Sequence, residues 1–175
     1  MLKDKLDKAI REVPDFPKPG IMFKDITPVL HDPVLCKEIT DEICSAFKDV
    51  QIDAVVGVES RGFLFGMLIA QQLNVPFVTV RKKGKLPYDT VSYKYDLEYG
   101  SAEIEMHTDA IKAGDRVLIH DDLLATGGTA IAAAELVNMQ NGVIGGFSFV
   151  IELEFLKGVQ KLKPFSEKIS NLISY

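Results

Sequence analysis

Apolar positions along the chain switch between two periods, and the switches mark out its elements. Leu2, Leu6, Ala9, Ile10 and Val13 recur at helical spacing, which predicts a first amphipathic helix over residues 2–13, ended by Pro14. Asp32-Pro33 has the form of an N-cap and first helical position for a second helix through Phe47, with Leu35, Ile39, Ile43 and Phe47 on its apolar face. Ile52 to Val58, Pro76 to Val80 and Val117 to Ile119 are nearly continuous apolar runs, the pattern of strands buried on both faces. Phe63 to Leu73 follows the first of these as a helix, and the alanine-rich stretch from Ala130 to about Gln140 follows the third. Residues 86–99 alternate around Tyr88, Tyr93, Tyr95 and Tyr99 and return through Ser101 to His107 as a hairpin. Val143 to Leu153 predicts another strand, and Ile169 to Ile173 a last one after a short basic turn. Strand–helix units in succession predict an α/β fold built on a doubly wound, mostly parallel sheet.

One segment breaks the pattern. Residues 14–28, P-D-F-P-K-P-G-I-M-F-K-D-I-T-P, hold four prolines and one glycine, which excludes a long helix and predicts a stiff, extended path. Phe16, Ile21, Met22, Phe23 and Ile26 are too many apolar residues for a solvated loop. The segment is either the wall of a pocket or a strap over the core.

Three predicted strands end in polar loops, the edge where open α/β sheets bind ligands. After Val117 to Ile119 come two adjacent carboxylates, Asp121 and Asp122, then the loop Ala125, Thr126, Gly127, Gly128, Thr129 and a helix start. Glycines let the backbone approach a phosphate closely, two threonine hydroxyls can donate to it, and a helix N-terminus offers free N–H groups. The carboxylates would repel a bare phosphate but suit one that carries sugar hydroxyls or a divalent cation, as a sugar phosphate does. A plain helix cap with solvated aspartates satisfies the same local pattern. The spacing matches neither G-x-x-x-x-G-K-[ST] nor G-x-G-x-x-G. After the first strand, G-V-E-S-R-G (57–62) places Arg61 beside a helix start, suited to an anion or to a surface pair with Glu59. Arg81, Lys82, Lys83 and Lys85 cluster after the second strand, as a solvated loop or a further anion site.

Composition narrows the class. At 175 residues with 47% apolar content the chain is expected to form one domain with a substantial core. Its longest apolar run, Gly62 to Ala70, is too short for a membrane span, and its first residues mix charges without a signal-like apolar stretch. Cys36 and Cys44 lie eight apart, the spacing of one helix face, which predicts buried free thiols rather than a disulfide or zinc site. A cytoplasmic protein is expected. A net charge of −5 argues against a nucleic-acid partner.

Four motifs read together extend this picture. D-D-L-L-A-T-G-G-T, F-P-K-P-G-I-M-F-K-D-I-T-P, V-E-S-R-G-F-L-F-G and Y-D-L-E-Y-G occur in an order and spacing that resembles the adenine branch of the type I phosphoribosyltransferase family, from about Pro14 to Gly158. The resemblance implies that fold with a small hood: residues 14–28 would bind the base, and residues 83–107 would form a flexible loop and hairpin over the site. It implies transfer of ribose 5-phosphate from phosphoribosyl pyrophosphate to N9 of adenine, giving AMP and pyrophosphate. By the match, Ala125 to Thr129 would hold the 5-phosphate, and Asp121 and Asp122 would face the ribose hydroxyls. Glu59, Ser60 and Arg61 would meet pyrophosphate, with Glu59-Ser60 a candidate cis peptide. Arg81 and Lys85 would neutralise pyrophosphate, with reach toward a neighbouring subunit. Phe23 would stack on the purine while backbone groups of Met22 and Lys24 read its edge. Glu98 would be the catalytic group at the N7 side of the purine. Mg²⁺ would be held mainly by substrate oxygens and water, and a homodimer is the family's expected state.

Two positions depart from the family pattern: Lys24 and Val159 stand where arginine is usual. Rival readings keep the fold and change the task. A regulator that binds phosphoribosyl pyrophosphate without turnover predicts a lost hood or basic loop, whereas both are present in this sequence. Transferases for other purines carry an acidic residue just after the paired aspartates, and Leu123 to Ala125 offers none.

Overall fold

Side-chain alternation along the central strands sorts the core onto two faces. In strand β3 (Ala54–Val58), Val55 joins one apolar cluster while Ala54, Val56 and Val58 join the other. In β7 (Arg116–Leu124), Leu118 joins the first and Val117 and Ile119 the second. Such a sheet needs cover on both sides. Helices α1 (Leu2–Ala9), α2 (Pro33–Ala46) and α3 (Gly62–Leu73) cover one face through Leu6, Ile39 and Ile69; α4 (Gly128–Met139) and α5 (Gly158–Leu162) cover the other through Leu136 and Leu162. The computed structural model describes residues 1–96 and 100–175.

The main sheet also contains β4 (Phe77–Lys82), β5 (Thr90–Asp96), β6 (Ser101–His107), β8 (Val143–Glu152) and β9 (Ile169–Ser174), in the order β5-β6-β4-β3-β7-β8-β9. From β4 to β9 all pairings are parallel; β6 runs antiparallel to β4, and β5 antiparallel to β6. The tyrosine-rich hairpin is therefore continuous with the sheet edge. The expected doubly wound, mostly parallel α/β architecture is present. The α2 cap is as expected: Asp32 Oδ1 accepts from the N–H groups of Val34 and Leu35, each at 3.0 Å.

The first helix is shorter than its periodicity predicts. It stops at Ala9, and β1 (Arg11–Pro14) pairs antiparallel with β2 (Met22–Asp25), Val13 opposite Phe23 and Pro14 opposite Met22. Proline at 14 drives the residue before it toward extended backbone, and β-branched Val13 already favours it. The proline-rich segment thus forms a hairpin, with Phe16-Pro17 in cis.

Candidate active site

The chain leaves β3 toward β4 on one side, while β7 enters on the other. Loops following β3 and β7 consequently diverge over one crevice, the topological switch point of the sheet. Gly57 is registered against His120, which sets Glu59, Ser60 and Arg61 beside Asp121 and Asp122. The Glu59-Ser60 peptide is cis. Gly62 starts α3 against the acidic pair: a Cβ there would lie 2.9 Å from the His120 carbonyl oxygen and 3.0 Å from Asp121 Oδ1.

The two carboxylates belong to the strand rather than to a loop, because pairing with β8 continues through Leu123 and Leu124. Alternation then turns them to opposite sides of the backbone. Asp122 is buried and ion-paired with Arg61 Nε. Asp121 Oδ1 accepts the Asp122 N–H at 2.8 Å. Burial, reinforced by the Asp122 charge, pushes the Asp121 carboxyl well above the usual carboxylate range. A carboxylate raised in this way gains from any cationic charge that develops beside it.

Beyond the strand, Asp121 and residues 123–130 enclose a cavity of about 80 Å³ at the start of α4. Among the described residues no side chain caps that helix, which leaves its first N–H groups to an anion. Gly127 turns the loop at φ +84°, a backbone that L side chains rarely adopt, and any Cβ would lie 3.2 Å from the Gly158 carbonyl oxygen. Thr126 is exposed. The Thr129 hydroxyl is 3.2 Å from the Tyr95 hydroxyl of β5, an anchor that the sequence motifs did not single out.

Glu59, Ser60, Arg61, Lys82, Asp121, Asp122 and Leu123 line an adjoining cavity of about 280 Å³. Glu59 is committed to the basic loop: it accepts Arg81 Nη2 at 3.0 Å and the Lys82 N–H at 2.9 Å. The Arg81 hydrogen bonds hold its carboxyl below the usual range. Arg81 also donates to the Lys85 carbonyl at 3.2 Å, and the Lys85 N–H donates to buried Glu105 at 2.9 Å. Lys82 is the cation of this loop that lines the cavity. Sequence reading passed over it in favour of Arg81 and Lys85, although its two-residue spacing from buried Val78 and Val80 was a signal for the same face.

The proline-rich hairpin reaches the same place. Phe23 packs edge-on against Phe16 with ring centroids 5.1 Å apart, and the Arg61 guanidinium lies 5.5 Å from the Phe23 centroid. Arg61 thus joins the aromatic hairpin to Asp122. Met22 is 49% exposed, whereas Lys24 is buried and paired with Glu12. Val159 packs into the cluster beneath α4. Glu98 lies outside the described residues.

Behind the site, His120 is fully buried, with Nδ1 2.9 Å from Ser148 Oγ and Nε2 without a partner among the described residues. Burial pushes this imidazole down to about 3. A larger groove of about 490 Å³ lies elsewhere, between α2 and α3, and its only charged lining residue is Lys37. Convergent charge, not size, marks the site. Among the described residues no group of three or more His, Cys, Asp or Glu side chains is placed to hold a metal ion, and no helix is long and apolar enough to cross a membrane. Two neighbouring aspartates beside an anion cradle fit a magnesium ion that keeps most of its ligands from substrate and water.

Residues 29–145 match the family model described as phosphoribosyl transferase domain. The chain is 53% identical over 175 residues to an adenine phosphoribosyltransferase of Cytophaga hutchinsonii, covering 100% of this chain and 97% of that one. A crystal structure of adenine phosphoribosyltransferase from Thermoanaerobacter pseudethanolicus superposes with a TM-score of 0.95 at 47% identity, covering 100% of both chains. The enzyme from Saccharomyces cerevisiae, solved with adenine and an imino-altritol bisphosphate, gives a TM-score of 0.91 at 43% identity over 98% of each chain. With this likeness spanning the loops after β3 and β7 as well as the proline-rich hairpin, the chain belongs to the adenine phosphoribosyltransferases of the phosphoribosyltransferase family.

Proposed function

We propose that this chain transfers ribose 5-phosphate from phosphoribosyl pyrophosphate to N9 of adenine, yielding AMP and pyrophosphate in purine salvage. The observation that carries the reading is the placement of Arg61, which touches Asp122 on one side and the Phe23 ring on the other. One crevice thereby holds an anion site, a sugar site and an aromatic base site.

The roles follow from the chemistry. The N–H groups at the start of α4, with the hydroxyls of Thr126 and Thr129, hold the 5-phosphate through the backbone of Ala125 to Gly128. Ser60, Arg61 and Lys82 meet the pyrophosphate, while Glu59 fixes the loop that carries Arg81 and Lys85. The bond from C1 to pyrophosphate breaks with its electron pair on the leaving oxygen, and positive charge develops on the ribose ring. Asp121 and Asp122 stabilise that charge. The N9 lone pair of adenine then forms the new C1–N9 bond, and the N9 proton passes to an oxygen of the departing pyrophosphate or to water. Phe23 stacks on the purine, backbone groups of Met22 and Lys24 read its edge, and Glu98 exchanges a proton or hydrogen bond at N7. Magnesium would sit beside Asp121 and Asp122, held mainly by substrate oxygens and water, and would supply charge neutralisation of the pyrophosphate.

The remaining assignments belong to the same reading. The β5–β6 hairpin and the loop before it form a hood over the site. Exposed Leu64, Met67 and Leu68 on α3 give an apolar face suited to a second copy of the chain, in keeping with a homodimer. Two unpaired cysteines, Cys36 and Cys44, suit the reducing cytoplasm.

A panel of bases tests the proposal. With phosphoribosyl pyrophosphate and Mg²⁺, adenine should release pyrophosphate, and hypoxanthine and guanine should be far poorer. Equal rates for all three would refute the adenine assignment, and no release with any base would favour a binding module without turnover.

A further inference from the structure

The hairpin that carries Phe23 is a detached piece of sheet. Its strands β1 and β2 have four residues each and pair with each other, not with the seven-stranded sheet. A two-stranded hairpin of that length has little stability of its own, so contacts with the body of the protein must set its position.

The face of β2 opposite Phe23 supplies such a contact. Lys24 is buried at 9% exposure, ion-paired with Glu12 across the hairpin, and its ammonium lies 3.5 Å from the centroid of the Tyr175 ring. Tyr175 is itself held at three points. Its N–H donates to the Glu152 carbonyl at 2.9 Å, its carbonyl accepts the Glu154 N–H at 2.9 Å, and its hydroxyl donates to Asp7 of α1 at 2.9 Å. The ring is therefore a fixed plate beneath a desolvated cation, the setting in which a cation–π contact is strong. Alternation along β2 turns Lys24 to the plate and Phe23 to Arg61.

We propose that Tyr175 is a positioning residue for the base: through Lys24 it locks β2 so that Phe23 and the backbone of residues 22–24 stand ready for the purine. It touches no substrate itself. The inference rests on the base-pocket reading above and adds to it a determinant at the far end of the chain.

Steady-state kinetics with each substrate varied in turn tests this. Tyr175→Leu and Lys24→Met should each raise KM for adenine by about thirtyfold, the loss expected for a desolvated cation–π contact, with kcat and KM for phosphoribosyl pyrophosphate little changed. Lys24→Arg should recover most of what Lys24→Met loses, and Tyr175→Phe, which keeps the ring, should shift KM for adenine far less than Tyr175→Leu. An adenine KM within twofold of the parent in Tyr175→Leu overturns the inference. So does a parallel rise in both KM values, which signals a general loss of structure. Phe23→Ala is the control. If it leaves the adenine KM unchanged, the base-pocket reading has failed and the positioning role falls with it. If it raises that KM while Tyr175→Leu does not, the positioning role alone has failed.

Discussion

His120 builds a sensitivity to acid into the core of this protein. The imidazole is fully buried between β8 and α3, with Ser148 as its one hydrogen-bonding partner among the described residues, and burial pushes its pKa down to about 3. In the unfolded chain the ordinary value is about 6.5. Between those values the unfolded state binds a proton that the folded state refuses, so stability is lost as pH falls through about 6.5 and the loss continues toward about 3. Above that window both states are neutral and the group contributes no pH dependence. From pH 7 to about pH 4.5 the linkage amounts to about 2.5 kcal/mol. With a urea m-value of about 2 kcal/mol/M, the unfolding midpoint should fall by about 1 M more than it would without this group.

The comparison is with His120→Asn, whose amide can still bond Ser148 Oγ and does not titrate. That variant starts from lower stability because it leaves space in the core. Its midpoint should nevertheless lack the His120 part of the acid slope. Asp121 acts in the opposite sense: its raised pKa makes the folded state bind the extra proton, so its contribution declines as pH rises. Asp121 is present in both proteins and largely cancels in the difference. Urea titrations at pH 7 and about pH 4.5, at one protein concentration, supply the four midpoints. Equal acid losses in the two proteins would refute the picture of a buried neutral imidazole.

Other substitutions test the site. Glu98→Gln should lower turnover more than it lowers ligand affinity, and an unchanged rate would remove the catalytic role of Glu98. Lys82→Ala should raise KM for phosphoribosyl pyrophosphate and weaken pyrophosphate inhibition severalfold, because Lys82 lines the cavity beside Arg61; equal inhibition constants would take Lys82 out of the site. Gly127→Ala should destabilise the fold by about 1–2 kcal/mol, since it forces a side chain to φ +84° against the Gly158 carbonyl. It should also weaken AMP binding more than adenosine binding, and calorimetry with both ligands separates a phosphate-loop defect from a general one.

Local signals in the sequence carried a large part of the architecture. The period-two and helical patterns marked most elements within a few residues, and the Asp32-Pro33 cap marked the start of α2. The Gly/Thr loop stood out because a close turn at a helix start demands those residue types in that order. Val13 shows the limit of such signals. The last turn of the helical periodicity loses to a following proline once Phe23 is available as a cross-strand partner. Nothing in the spacing of residues 2–13 contains that partner.

The site divides along the same line. Sequence by itself determined which loops carry the charged and anion-suited residues, since an acidic pair, a Gly/Thr turn and a basic cluster are each short and contiguous. Only the tertiary structure decided what each side chain does with its charge. Asp122 meets an arginine from the other side of the switch point, Arg81 is tied to Glu59, Lys82 is left facing the cavity, and Lys24 stacks on Tyr175. Spacing along a chain specifies conformation over a few residues. Partnership and desolvation depend on which distant segments the sheet brings together.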